Sequence, residues 1–476
     1  MLQYKRNKQK GENKKKLNYE EFLKSKEYSY KNTGFDISVD ELNSNMFDFQ
    51  KAIVRWALKK GRCALFLDTG LGKTICQLEF ANQVCKHENG KALIVAPLAV
   101  SKQTKQEGEK FGISVNICRK QEDVKDGINI TNYEMLSHFN PNEFICIVLD
   151  ESSILKSFTG KVSTEIIDTF RFTKYKLACT ATPSPNDYQE LGTHSEFLNV
   201  MNRTEMLATF FINDAKEGQW RMKHHAESKF WEWLTTWAMV VKNPADLGFD
   251  GTLYNLPKLN IEHIIVKSDA DKGSLIAKTA STLSERRQAR KESMIDRVEE
   301  VKRLVKDMDS CLVWVDYNDE SEHITKSIDG IVEVKGADSD EHKEKSMIGF
   351  ANGNIKYLVS KPSICGFGMN FQKCHNMIFC GLSDSYEKFY QAVRRCYRFG
   401  QTKEVNVYVI ISQKELSVLN NIQRKQAQHE RMTENMVSRT AEILKNEIHE
   451  TMRMTEDYIA NDIVKIPKWL VSESEV

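Results

Sequence analysis

Eight short runs of continuously apolar residues constrain the fold of this 476-residue chain more than any other feature. Continuous rather than alternating apolarity is typical of β-strands that helices cover on both faces. The runs lie at 63–67, 92–96, 145–149 and 176–180 in the first half, and at 311–315, 356–360, 376–380 and 405–411 in the second. Helix-length polar segments separate them, so the sequence predicts an α/β fold with two tandem lobes, each built on a parallel sheet.

The remaining segments divide the chain into five predicted parts. These are a basic flexible N-terminal tail at 1–33, a first lobe at 34–257 with an aromatic-rich helical segment at about 195–250, a linker of brace helices at 258–308, a second lobe at 309–425, and a helical C-terminal extension at 426–476. A formal net charge of only +2 predicts that any site for a polyanion is a local patch.

Composition also restricts where the protein works. Mean hydropathy is −0.50 and no apolar run is long enough to cross a bilayer, which predicts a soluble protein without a membrane partner. The 11 cysteines are scattered and none forms a C-x-x-C pair. We therefore expect no zinc site and no disulfide, in a reducing, cytoplasmic compartment.

The stretch FLDTGLGKT (66–74) follows the first apolar run and precedes a predicted helix. It departs from the strict phosphate-loop pattern, because Leu67 stands where that pattern has its first glycine. Gly70 and Gly72 still allow backbone N–H groups to approach a phosphate at a helix N-terminus. Lys73 would reach the β- and γ-phosphates of a nucleotide, and the Thr74 hydroxyl would contribute to a Mg²⁺ site. The alternative is a fortuitous turn.

An acidic pair follows the third apolar run, at the strand end where open parallel sheets bind ligands. Asp150 could orient Mg²⁺ through its water shell, and Glu151 could polarise an attacking water. Acidic pairs at strand ends are common, so the weight of this one comes from the phosphate loop upstream. Thr180 and Thr182 follow the next strand and could hydrogen-bond the pair, although a loop stopped by Pro183 fits that stretch equally well.

Arginines in the second half complete the set of charged candidates. If residues 385–399 are helical, then Gln391, Arg395 and Arg398 lie on one face, and Arg394 falls within the same broad arc. Fixed guanidinium groups could stabilise charge on a transferring γ-phosphoryl group. An ordinary basic helix, or one that binds DNA phosphate, would have the same pattern.

Residues 46–411 resemble the Swi/Snf-type branch of superfamily-two helicases. The matching motifs are MFDFQ, DTGLGKT, DESSILKS, TATPSPNDYQEL, SICGFGMNFQ and QAVRRCYRFGQ. The resemblance implies two RecA-like lobes, ATP and Mg²⁺ as cofactors, and Arg395 and Arg398 as the paired arginines of the family. It implies catalytic roles for Lys73, Asp150, Glu151, Arg395 and Arg398, metal binding by Thr74 and Asp150, and nucleotide binding by Gln50, Asp68, Thr69, Gly70, Leu71, Gly72, Lys73, Thr74, Gly368 and Gln391.

The same resemblance implies nucleic acid as the partner. Its backbone contacts would come from Pro97, Ser101, Thr131, Asn132, Gly366 and Asn370, independent of base sequence and sensitive to salt. The expected function is an ATP-dependent DNA helicase or translocase. An RNA helicase and a nucleic-acid-binding scaffold without turnover are the alternatives, and the intact charged residues argue against the scaffold.

In its compact length and in the segment 230–248, the chain resembles the helicases of this type that bacteriophages encode. This resemblance would place the protein in the cytoplasm of a host cell. It leaves open which replication or recombination proteins would be its partners. In that segment Phe230, Leu234, Trp237 and Val241 form a helical stripe typical of a core. Trp231 lies off the stripe and could be a surface contact or a strand-separating wedge, though exposed single aromatics are unremarkable.

Overall fold

A computed structural model of the protein describes residues 32–97, 100–156, 160–184, 187–214, 219–266, 283–365 and 369–449. Its first lobe contains the strands β1 (Arg62–Leu67), β2 (Lys91–Ala96), β3 (Val115–Ile117), β4 (Gly127–Asn132), β5 (Phe144–Asp150), β6 (Tyr175–Cys179), β7 (Phe211–Asp214), β8 (Gln219–Met222) and β9 (Ala238–Val241). Its helices are α1 (Asp48–Lys60), α2 (Lys73–Glu88), α3 (Ser101–Lys110), α4 (Lys161–Thr169), α5 (Leu191–Phe197), α6 (Arg203–Phe210) and α7 (Glu227–Trp237).

The second lobe has the same architecture. Its strands are β10 (Leu259–Val266), β11 (Cys311–Trp314), β12 (Ile331–Val334), β13 (Tyr357–Ser360), β14 (Asn376–Cys380) and β15 (Val405–Ser412). Its helices are α8 (Leu283–Glu292), α9 (Met294–Val305), α10 (Asn318–Ser327), α11 (Asp340–Ala351), α12 (Pro362–Cys365), α13 (Tyr386–Val393) and α14 (Leu416–Ile448).

Two parallel sheets confirm the predicted fold class of two tandem α/β lobes. Within the described residues the first sheet has seven strands in the order β3-β4-β2-β5-β6-β1-β9, and the second has six in the order β10-β15-β14-β11-β13-β12. All eight continuously apolar runs form strands, and strands such as β1, β2 and β6 are almost wholly buried. Helices on both faces of each sheet make this burial possible.

Strand β9 corrects the prediction that the aromatic-rich segment at about 195–250 is helical throughout. Helix α7 ends at Trp237, and the next four residues pair with β1 as an edge strand, with Ala238 opposite Ala64. Val241, expected on the helical stripe, therefore belongs to the sheet. The short apolar run of β9 continues the apolar residues of α7 without a break in sequence, so periodicity alone could not separate the two elements.

Strand β10 lies in the segment 258–308, which was predicted to be a linker of helices. It pairs with β15 over its whole length, from Leu259 opposite Val405 to Val266 opposite Ser412. As the outermost strand of the second sheet it is only partly covered, and polar residues interrupt its apolar pattern. The sequence therefore lacks the continuous apolar run that identified the inner strands.

Trp231 is buried, with 4% of its surface exposed. Its ring packs edge-on against Tyr188 and Phe230, with centroid distances of 5.2 and 5.0 Å. The suggestion that Trp231 is a strand-separating wedge on the surface is therefore wrong. Like Trp233 and Trp237, it belongs to the core of the first lobe.

Helix α14 joins the two lobes. Its N-terminal part packs Ile422 into the core of the second lobe, whereas Leu444, near its C-terminal end, packs into the core of the first. Glu447 accepts a hydrogen bond from the Trp56 indole nitrogen at 3.0 Å and pairs with Lys60 at 2.6 Å. At 33 residues the helix is about 50 Å long, enough to span both lobes. No helix in the described ranges is long and apolar enough to cross a membrane.

Candidate functional site

The phosphate loop lies between β1 and the N-terminus of α2. Gly70 and Gly72 have φ angles of 97° and 84°, a left-handed conformation that favours glycine. A Cβ atom at Gly70 would lie 2.8 Å from Cβ of Phe399, and one at Gly72 would lie 2.2 Å from Nε2 of Gln50. Both positions therefore require glycine, because of the backbone conformation and because close neighbours leave no room for a Cβ atom.

Lys73 is the first residue of α2, and its ammonium group is held at the loop. Nζ donates a hydrogen bond to the Leu67 carbonyl at 2.8 Å. Burial lowers the pKa of Lys73, while the neighbouring carboxylates of Glu151, Asp68 and Asp150 oppose that shift. A partly buried cation among carboxylates is suited to bind an anionic ligand that enters the site.

Gln50 on α1 contacts the phosphate loop directly. Its Nε2 donates to the Leu71 carbonyl at 3.1 Å, and its Oε1 accepts from the Phe47 backbone N–H at the same distance. Both polar ends of the amide are thus paired within the protein. In this structure the side chain supports the loop, at a position adjacent to the expected nucleotide.

The acidic pair lies at the carboxyl end of β5, facing the loop. Asp150 Oδ1 accepts a hydrogen bond from Gln77 Nε2 at 2.8 Å, and Glu151 Oε1 accepts one from Thr180 Oγ1 at 2.6 Å. Thr180 therefore hydrogen-bonds the pair, as the sequence suggested. Burial raises the pKa of both carboxyl groups, and Lys73 acts in the opposite direction.

Glu151 also has an unusual backbone. Its φ of 57° is positive, which is uncommon for a residue with a side chain and costs on the order of 1–3 kcal/mol. Strain of this kind persists where the surrounding structure holds it, and it concentrates at functional sites. The conformation directs the backbone out of β5 into the turn that contains Ser152 and Ser153.

The arginines of the second lobe face the same space, but not from a helix. Helix α13 ends at Val393, so the condition that residues 385–399 are helical fails for the last six of them, and Arg395 and Arg398 lie in the turns that follow. Arg395 Nε donates to the Gln391 carbonyl at 3.2 Å, and Arg398 donates to the Asn370 side chain. Burial lowers the pKa of each guanidinium to about 10.

A cavity of about 360 Å³ between the lobes brings these groups together. Its lining includes Thr69, Gly70, Gly72, Lys73, Thr74, Asp150, Glu151 and Thr182 from the first lobe, and Gln391, Arg395 and Arg398 from the second. Thr182 Oγ1 is buried and has no hydrogen-bond partner among the described residues. The cavity lining thus includes one lysine, the carboxylates of Asp150, Glu151 and Glu107, three guanidinium groups counting that of Arg394, and hydroxyls, a set that suits a polyphosphate with a cation.

The residues expected to contact nucleic acid are dispersed. Pro97 and Asn370 line the interlobe cavity. Ser101, Thr131 and Asn132 are buried, and Asn132 caps the following turn by accepting from the Glu134 and Met135 backbone N–H groups. The Thr131 and Asn132 side chains are 2% and 8% exposed, and contact of these residues with nucleic acid stays a prediction. Gly366 and Gly368 lie outside the described residues.

Two interlobe contacts were not predicted from the sequence. Asp68, assigned to the nucleotide, forms an ion pair with Arg394 across the cleft at 2.7 Å. The Ser153 hydroxyl lies 2.9 Å from Glu387 Oε1 of the second lobe, and also 3.2 Å from Glu151 Oε1 of its own lobe, so its one hydrogen is shared between the two carboxylates. The sequence indicated only that Arg394 falls within the same helical arc as Arg395 and Arg398. It did not indicate that Arg394 pairs with Asp68, which lies more than 300 residues away.

His194 contacts Ser152, the residue that follows the acidic pair, and it makes the stability of the fold depend on pH. Its Nε2 lies 3.2 Å from Ser152 Oγ, and burial lowers its pKa to about 4. Because the unfolded chain takes up this proton near pH 6.5, stability present above that pH is lost as the pH falls towards 4. Between pH 7.5 and 5.5 we expect His194 to cost about 1 kcal/mol of unfolding free energy.

Urea unfolding at the two pH values measures this effect. His194→Gln should show a smaller pH-dependent loss than the wild type, whereas the exposed control His225→Gln should keep the wild-type slope. Equal slopes in all three proteins would contradict the assignment.

The sequence matches known domains in both lobes. A profile of the SNF2-related domain matches residues 49–224, and one of the helicase conserved C-terminal domain matches residues 295–400. The chain therefore carries an SNF2-related domain in its first lobe and a helicase conserved C-terminal domain in its second.

Individual relatives of this chain are distant. It is 27% identical over 184 residues to the mouse protein described as "DNA annealing helicase and endonuclease ZRANB3", a match that covers 35% of this chain and 17% of that protein. The DUF1998 helicase MrfA bound to DNA superposes with a TM-score of 0.52 at 16% identity, over 80% of this chain and 51% of that one.

A SWI2/SNF2 ATPase core from Sulfolobus solfataricus in complex with double-stranded DNA covers 86% of this chain and 96% of its own, at 19% identity and a TM-score of 0.41.

Proposed function

We propose that the protein is an ATP-dependent motor that moves along DNA or remodels it, using nucleotide hydrolysis at the interlobe cleft. The observation that carries this proposal is the single cavity in which Lys73, Asp150 and Glu151 of one lobe face Arg395 and Arg398 of the other. A site divided between two lobes couples the state of the nucleotide to their separation, which is what a motor requires.

Each charged residue has a distinct task in this reaction. Lys73 binds the β- and γ-phosphates, together with the backbone N–H groups at the start of α2. Glu151 orients and polarises the attacking water, and the hydrogen bond from Thr180 at 2.6 Å fixes its carboxylate. Arg395 and Arg398 stabilise the charge that develops on the γ-phosphoryl group. Hydrolysis would then release the arginines and let the lobes separate.

The donors present also fit Mg²⁺. Thr74 and Asp150 line the same cavity and offer the hydroxyl and carboxylate oxygens that this hard cation prefers. When bound, the ion would neutralise phosphate charge. Gln77, which donates to Asp150 Oδ1 at 2.8 Å, keeps the carboxylate turned towards that position.

Asn370 offers a route from the nucleotide to the nucleic acid. It is proposed as a backbone contact, and its side chain accepts a hydrogen bond from Arg398. A shift of Arg398 upon hydrolysis would therefore act directly on a residue that contacts the strand. DNA as the substrate is inferred from the family resemblance, and the helicase MrfA, whose fold is similar, is bound to DNA in its solved structure. A compact motor of the kind encoded by bacteriophages is part of the same proposal.

Measuring ATPase rates against single-stranded DNA, duplex DNA and RNA tests the proposal. We expect DNA to stimulate hydrolysis more than RNA does, and stimulation to fall between about 50 and 200 mM salt as phosphate contacts weaken. Stronger stimulation by RNA would favour the RNA helicase instead. If the protein binds nucleic acid but hydrolyses no ATP with any of the three, only the hypothesis of a nucleic-acid-binding scaffold without turnover would remain.

A further inference from the structure

Helix α13 docks on the first lobe through one of its faces. Glu387, Tyr390 and Arg394, the residue that follows the helix, are spaced at i, i+3 and i+7, so their side chains lie in one row. All three contact residues of the first lobe. The turns directly after this helix carry Arg395 and Arg398, whose position therefore depends on how the helix is held.

The centre of this docking face is Asp68. Its Oδ2 pairs with Arg394 Nη2 at 2.7 Å, and its Oδ1 accepts the Tyr390 hydroxyl at 2.9 Å. The Arg394 guanidinium also lies over the rings of Tyr390 and Tyr397, at 5.2 and 5.4 Å from their centroids. The side chains of Asp68 and Arg394 are only 17% and 14% exposed.

Asp68 is part of the loop that the nucleotide would occupy. Its Oδ1 accepts a hydrogen bond from the Thr69 backbone N–H at 2.6 Å, and Gly70 and Gly72 follow within the same turn. The ion pair thus connects the phosphate loop to the residue that directly precedes Arg395. Loss of the Asp68–Arg394 ion pair would therefore shift Arg395 and Arg398 relative to the phosphate loop, although neither of these arginines belongs to the pair.

The other end of the docking face contacts the acidic side of the site. Glu387 accepts a hydrogen bond from Ser153 Oγ at 2.9 Å and pairs with Lys156. Ser153 Oγ also lies 3.2 Å from Glu151 Oε1. Helix α13 is therefore held at one end by the phosphate loop and at the other by the turn of the acidic pair.

We propose that Arg394 is a positioning residue for ATP hydrolysis, acting through Asp68 to hold Arg395 and Arg398 at the phosphate site. This inference rests on the proposed ATPase function. Arg394 also lines the cavity, but its Nη2 is directed at Asp68 Oδ2, so its role in this proposal is to position the neighbouring arginines rather than to bind phosphate. Removing one partner of a shielded ion pair leaves the other charge uncompensated, so the contact resists separation of the lobes.

A second interlobe ion pair provides a matched control. Lys102 on α3 and Glu344 on α11 also join the lobes, but at 4.0 Å and with side chains 67% and 48% exposed. Exposed pairs of this kind contribute little. Glu344→Gln therefore removes an interlobe charge without disturbing the helix that positions the arginines.

Steady-state kinetics of DNA-stimulated hydrolysis tests the inference. For Arg394→Gln we expect kcat to fall roughly 100-fold while KM for ATP changes less than about threefold, because misplacement affects the transition state more than binding. Arg394→Lys, which keeps the charge, should recover part of kcat, and Glu344→Gln should match the wild type. A kcat for Arg394→Gln within threefold of the wild type would overturn the inference.

Fluorescent labels measure the positioning without hydrolysis. Phe172 and Ile295, 88% and 66% exposed on opposite lobes, can be replaced by cysteine for labelling. In the nucleotide-free protein Arg394→Gln should lengthen the distance between the two labels. An unchanged distance would contradict the inference, whether or not the wild type hydrolyses ATP. An inactive wild type would refute only the proposed function. If Arg394→Gln does not fold, Tyr390→Phe replaces it in both assays. Wild-type kcat and wild-type interlobe distance for Tyr390→Phe would overturn the inference.

Discussion

Replacement of Lys73 by alanine is expected to abolish measurable ATP turnover. The ammonium group is partly buried near three carboxylates and donates to the Leu67 carbonyl at 2.8 Å, at the start of the helix that follows the phosphate loop. Without it the carboxylates face the incoming phosphates with no cation from the same lobe. Loss of a preorganised group of this type costs roughly 100- to 1000-fold in rate.

Lys86 is the matched control for this substitution. It lies on the same helix, α2, at the exposed last turn. Lys86→Ala removes the same charge from the same helix and should retain the wild-type rate and melting temperature. Phosphate release from the Lys73→Ala protein at the wild-type rate would contradict the phosphate-loop assignment.

Replacement of Arg398 by alanine should separate binding from hydrolysis. Arg398 lines the cavity from the second lobe and donates to Asn370, whereas the loop that cradles the nucleotide belongs to the first lobe. ATP should therefore still bind, while hydrolysis falls roughly 1000-fold or more, as expected when a guanidinium that stabilises the transition state is lost.

Titration with a fluorescent ATP analogue and a parallel single-turnover assay measure the two steps. Arg431→Ala, an exposed arginine on α14, is the control and should behave as the wild type. If Arg398→Ala weakened ATP binding as strongly as it slowed hydrolysis, then Arg398 would be a ground-state ligand, and the proposed role would be wrong.

The inner strands and the phosphate loop could be predicted from local sequence. A strand such as β1 is apolar at nearly every position because it is buried on both faces, and the glycines of the loop are required by backbone angles that other residues rarely adopt. Edge strands were harder, since β10 is partly covered and β9 continues the apolar run of α7. Their pairing depends on strands far away in the chain.

The interlobe contacts could not be predicted, because they join residues that are remote in sequence. Asp68 and Arg394 are 326 positions apart. Nothing in either motif indicates that its charge is used for docking rather than for the nucleotide. Trp231 illustrates the same limit, since its position off the helical stripe suggested exposure, and only the packing of Tyr188 and Phe230 around it determined its burial.

The sequence by itself determined the two parallel sheets and the chemical groups of the candidate site, because apolar runs and glycine-lysine-threonine order reflect local requirements of burial and backbone conformation. Only the tertiary structure decided that α13 stops before the arginines, that Asp68 holds Arg394, and that α14 packs Leu444 into the opposite lobe. These features depend on surfaces that meet once both lobes have folded, and their energies come from contacts between the lobes rather than from neighbours along the chain.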